Sequence, residues 1–79
     1  MEIPRDVSGA RLADLLCRKW QCARLHQAGS HIILETAQPT HHRIAIPDRH
    51  SLRLGTFSSI LRAVARHQGA TRDEIIADL

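Results

Sequence analysis

A chain of 79 residues, 43% hydrophobic and 24% charged, is close to the smallest size at which a single apolar core sustains a domain. One domain over residues 1–79 is expected, and apolar runs such as Ile32 to Leu34 fall far short of the roughly 20 residues that cross a bilayer. Met1-Glu2-Ile3-Pro4-Arg5 has no apolar leader segment, so a cytoplasmic protein with no membrane partner is expected. Cys17 and Cys22 are too few for a disulfide framework, and Trp20 and Phe57 leave little for stacking bases.

The net charge of +3 is unevenly spread, because Asp73, Glu74 and Asp78 crowd the C-terminal end. Between Arg18 and Arg72, nine cations stand against two carboxylates, Glu35 and Asp48. Every cation but Lys19 is arginine, whose planar guanidinium suits bidentate phosphate contacts. Nucleic acid is therefore the first partner class to consider, and a merely solvated basic surface is the competing reading.

In chain order, Ser8 is suited to cap a helix, with Val7 before it and Leu12 four positions after it at the spacing of a hydrophobic staple. Leu12, Leu15 and Leu16 then form an apolar stripe down to about Lys19. From Trp20 the helical period stops. Cys22 to Gln27 and His31 to Thr36, separated by Ala28-Gly29-Ser30, read as a hairpin. Ile32 and Leu34 fall on one face of the second strand, whereas His31, Ile33 and Glu35 fall on the other, away from the helices.

A turn at Gln38-Pro39-Thr40 leads to a third strand, His42 to Ile46, ended by Pro47. Asp48 to Leu54 is a basic loop, and Thr56 is the predicted N-cap of a second helix. Its stripe is Phe57, Ile60, Leu61, Val64 and Ala65, with Arg62 and Arg66 outward. Gly69 should end that helix, and the Thr71-Arg72-Asp73-Glu74 capping box should start a short third one. The predicted class is α+β in the order α-β-β-β-α-α, a three-stranded antiparallel meander with helices on one face and the other face open.

Six histidines, at 26, 31, 41, 42, 50 and 67, are the proton-transfer candidates, since imidazole titrates near neutrality. His31 stands apart because a Gly-Ser turn presents it at the start of a strand on the open face. Cys17 and Cys22 with His41 and His42 are a competing zinc set. The first pair bridges a helix and a strand, however, and adjacent strand histidines point to opposite faces, so no metal site and no cofactor are expected. Neither a Gly-x-Ser-x-Gly elbow nor a Gly-x4-Gly-Lys-Ser/Thr phosphate loop occurs.

Three segments carry a resemblance: Gly29-Ser30-His31-Ile32-Ile33-Leu34, His42-Arg43-Ile44-Ala45-Ile46-Pro47, and Leu52 through Gly55-Thr56-Phe57 to Arg62. In that order, from about Ser8 to Leu79, the chain resembles the HicA (YcfA-like) family of toxin messenger-RNA interferases. The resemblance implies a double-stranded-RNA-binding-domain-like fold, a ribonuclease that cleaves messenger RNA and arrests translation, and a HicB-type antitoxin as protein partner. It also places the catalytic histidine on His31.

On this reading His31 deprotonates a ribose 2′-OH without a metal, and Arg24 and Arg43 stabilise the phosphoryl charge. His26, read as sharing parity with Arg24 and lying across the hairpin from His31, is a candidate acid for the leaving group. Ser30, Arg24, His26, Arg43 and Arg53 are the expected RNA contacts. The chain departs from the family at His26, where an arginine is common, and at His50, which stands three residues after Pro47 rather than two. The alternative class is a non-catalytic RNA-binding module of the same fold, which would keep its function in His31→Ala.

Overall fold

Ser8, in extended conformation, accepts a hydrogen bond from the Arg11 backbone N–H at 3.0 Å and so starts helix α1 (Gly9–Lys19). Val7 and Leu12 are both buried, as the staple predicts. The chain continues through strands β1 (Ala23–Ala28), β2 (His31–Thr36) and β3 (His42–Pro47), then helices α2 (Leu54–Gln68) and α3 (Arg72–Ile76). The structure is a computed structural model that describes residues 2–79, so Met1 of the N-terminal reading lies outside the described residues.

The strands form one antiparallel sheet in the order β1-β2-β3. Ala28 pairs with His31, which leaves a two-residue turn with Gly29 at φ +60°. That is the first turn position, where a type II′ hairpin takes glycine. Ile32, Leu34, Ile44 and Ile46 are buried on one face, while His31, Arg43 and Ala45 are exposed on the other. Strict alternation in β2 and β3 produces this split.

β1 behaves differently, because its register shifts between Arg24 and His26 and all six of its residues are exposed. A bulge at Leu25 breaks the alternation that would put Arg24 and His26 on one face. Such irregularity also blunts an edge strand against pairing with another chain.

α2 begins three residues earlier than expected. Its N-cap is Arg53, which makes no side-chain capping bond, and the Phe57 N–H donates to the Arg53 carbonyl at 2.9 Å. Tertiary anchoring explains the difference: Leu52 is buried with its N–H on the Val7 carbonyl at 2.8 Å, and Phe57 is fully buried. These two anchors set where the helix starts and leave Thr56 inside the first turn. Gly69 ends α2 at φ +67°, and Thr71 caps α3 by accepting from the Glu74 N–H at 3.2 Å, both as predicted.

One hydrophobic cluster joins Leu12, Leu15 and Leu16 of α1, the inner faces of β2 and β3, and Phe57, Leu61 and Val64 of α2. Ile75 and Ile76 of α3 are buried in the same cluster, so the third helix completes the core. α2 lies along the β3 edge and also touches α3. It therefore covers one sheet edge and stands beside the outward residues of β3. Among the described residues, no helix is long and apolar enough to cross a membrane.

Candidate functional site

His31 is the first residue of β2 and is exposed, with Ser30 Oγ 3.4 Å from its Nδ1. It opens onto a hollow of about 510 Å³, bounded by Ala45 and Pro47 of β3 and by Gly55, Thr56 and Ser59 of α2. The opposite wall from His31 is thus the first turn of a 15-residue helix. The N–H groups of such a turn have no intrahelical acceptors and carry the positive end of the helix dipole. At Gly55 nothing lies within 4 Å of where a Cβ would stand, so the backbone there is bare.

The Gly29-Ser30 turn is tied to the segment that follows β3. The Asp48 N–H donates to the Ser30 carbonyl at 2.7 Å, and Gln27 Nε2 donates to Asp48 Oδ2 at 2.8 Å while reaching the Gly29 carbonyl at 3.5 Å. These contacts hold the turn that carries His31 against the end of β3. Sequence reasoning missed both Gln27 and Asp48. Their meeting depends on the pairing of His31 with Pro47, which no local pattern reveals.

The remaining predicted site residues separate. Arg24 pairs with Leu34, on the helix side of the sheet, and lies close enough to Cys17 to act on its thiol. His26 pairs with Ile33, whereas Ala28 is the residue opposite His31, so His26 is a diagonal neighbour on the open face. The shared parity and the cross-hairpin placement expected for Arg24, His26 and His31 are corrected by the bulge and the register. Arg53 is exposed at the α2 N-cap, two residues before Gly55. His50 is exposed in the loop before α2.

Arg43 sits on the open face opposite Glu35, at the far end of the β2–β3 ladder from His31. Four residues of strand separate the two positions, about 13 Å. Arg43 Nη2 donates to Glu35 Oε1 at 3.4 Å, and His41 Nε2 donates to the same oxygen. The His41 hydrogen bond, and after it the Arg43 guanidinium, hold the Glu35 carboxyl below its ordinary range. Arg43 is therefore already engaged by a carboxylate, away from His31.

Beside that pair, the rings of His42 and His67 lie 4.4 Å apart, centroid to centroid. His67 Nε2 donates to the Thr40 carbonyl at 2.8 Å, and His42 Nδ1 is buried with no hydrogen-bond partner. Burial first, then the charges of His67 and His41, lower the His42 pKa. The two cysteines are free, and burial raises both thiols, Cys22 to about 11, which keeps them protonated and poorly nucleophilic. Among the described residues, no three His, Cys, Asp or Glu side chains converge as a metal-binding group.

Compared with protein-family models, with the curated proteins and with solved structures, the chain matches none.

Proposed function

We propose that the chain is a HicA-type toxin, a ribonuclease of double-stranded-RNA-binding-domain-like fold that cleaves messenger RNA through His31. The observation that carries this reading is the pairing of an exposed imidazole on a tethered Gly-Ser turn with the bare first turn of α2 across one open hollow. A helix N-terminus is a favourable seat for a phosphate. Because His31 and Gly55 line the same hollow, an RNA phosphate seated at the helix would bring its flanking ribose to the side of the imidazole.

In the tautomer that turns Nδ1–H toward Ser30 Oγ, 3.4 Å away, His31 presents the Nε2 lone pair as the base. Nε2 takes the proton of the 2′-OH, the 2′-oxygen attacks the adjacent phosphorus, and the bond from phosphorus to the 5′-oxygen breaks. The leaving oxygen takes a proton from water, giving a 2′,3′-cyclic phosphate and a 5′-hydroxyl. General-base help of this kind supplies roughly 10²- to 10⁴-fold. The α2 N–H groups, rather than Arg24 and Arg43, take the charge-stabilising role. A HicB-type antitoxin with an acidic face would complement the net positive charge of the chain and inhibit by covering the hollow at His31.

The test is incubation of wild type and His31→Ala with a messenger RNA in excess EDTA, with fragment ends typed. Wild type should cleave and leave cyclic-phosphate ends, while His31→Ala should lose cleavage roughly 10²-fold or more and still bind RNA. Equal cleavage by both would remove His31 from the reaction. RNA binding without cleavage by either would leave a non-catalytic RNA-binding module.

A further inference from the structure

The hollow at His31 does not stop at Ser59. A second hollow of about 190 Å³ continues along α2 beside Ala45, Arg43 and His42 of β3. A third, of about 280 Å³, lies on the outer flank of the helix between Ser59, Ala63, Arg62 and Arg66. The first two share Ala45, Ser59 and Ile60 and adjoin as a channel between β3 and α2, and Ser59 and Ala63 form the rim that separates this channel from the third hollow. No acidic residue borders any of them, and α2 carries no Asp or Glu in its 15 residues.

Arg62 and Arg66 are exposed one turn apart on the outer rim, and among the described residues neither is held by an ion pair. Apart from Ile60, the channel floor at Ala45, Ser59 and Ala63 is small and uncharged, which lets a sugar–phosphate chain approach the backbone there. The other candidate path, the open sheet face, is a poorer track for phosphates. It carries the Glu35 carboxylate, its Arg43 is bound to that carboxylate, and Arg24 lies behind the sheet.

We infer that single-stranded RNA lies along the β3–α2 channel, with the phosphate to be cleaved at His31 and neighbouring phosphates held by Arg62 and Arg66. The inference rests on the RNA-cleavage reading above and adds the route of the substrate. From Thr56 to Arg66 the helix rises about 15 Å, room for a few nucleotides of one strand. The Thr56 and Ser59 hydroxyls on the same wall can hydrogen-bond a 2′-OH, the group that distinguishes RNA from DNA. No aromatic ring of Phe, Tyr or Trp borders the channel, so it reads the backbone rather than stacked bases.

The experiment measures binding of a short fluorescent single-stranded RNA across a salt series, in a His31→Ala background so that the probe stays intact. Arg62→Ala/Arg66→Ala should weaken binding roughly tenfold and lower the salt slope by about 1.4, near 0.7 for each lost phosphate contact. Arg24→Ala should leave both unchanged. Circular dichroism of the Arg62→Ala/Arg66→Ala variant should match that of its His31→Ala parent, since alanine on an exposed helix face preserves the helix. If the double variant binds with unchanged affinity and slope while the otherwise wild-type protein cleaves RNA, the route is overturned and the cleavage reading survives. If the His31→Ala background binds no RNA and wild type does not cleave, both fail together.

Discussion

Gly9 and Gly29 are fixed by opposite constraints. A Cβ on Gly9 would stand 1.9 Å from the Pro47 carbonyl oxygen and 3.3 Å from Ile46 Cγ2, where the first turn of α1 rests on the end of β3. The Gly9 N–H also donates to the Arg49 carbonyl at 3.0 Å, which ties the helix start to the chain beyond β3. Gly29 has open space around it but a φ of +60°, a conformation that costs a side-chain-bearing residue about 1–2 kcal/mol. Gly9→Ala meets immovable backbone and should cost about 3 kcal/mol or more. Urea unfolding should thus show Gly9→Ala as the more damaging of the two, and the opposite order would contradict the close approach at Pro47. Gly29 is legible in the sequence because Gly-Ser sits between two strand patterns. Gly9 is not, because its constraint comes from a residue far along the chain.

Among the elements, the contact between β3 and the end of α2 should weaken at low pH. His67 and Gln68 of α2 donate to the Thr40 and Gln38 carbonyls in the β2–β3 connection, and the His42 ring packs on His67. Protonated His42 would be partly desolvated beside two further histidines, and its Nδ1 would place a proton where no acceptor stands. The folded-state pKa of His42 lies below the unfolded value of 6.5, so the unfolded chain binds more protons between the two. Stability is then full above about 6.5 and falls as the pH drops through the lower folded pKa. Urea midpoints measured at descending pH should show this loss, and His42→Gln should flatten it. An unchanged slope in that variant would assign the acid sensitivity elsewhere. The helical and strand periods of the sequence reveal every element here, yet not that His42 and His67 face each other.

For the molecule as a whole, α3 is the informative part. Ile75 is fully buried, and Trp20 Nε1, just past α1, donates to Asp78 Oδ2 at 3.1 Å. The C-terminal helix is therefore part of the single core and is fastened to the other end of the chain. Ile75→Ala should cost about 2–5 kcal/mol. Trp20 fluorescence and far-ultraviolet circular dichroism should report the same unfolding midpoint in that variant. Separate midpoints would show α3 melting apart from the rest.

The sequence by itself determined the element order, the type of each element, and the inward faces of β2, β3 and both longer helices. Those features follow from side-chain period and local capping, which act within a few residues. It also singled out His31 and its turn, because Gly-Ser between two strand patterns is a local signal. The tertiary structure alone decided the Leu25 bulge, the earlier start of α2, the Gln27–Asp48 tether, and the separation of Arg24 and Arg43 from His31. It also decided that α2 lies beside the β3 edge and so forms a channel with outward residues. Each of these depends on which distant segments meet, and register and packing are settled by burial of the shared core rather than by neighbouring residues.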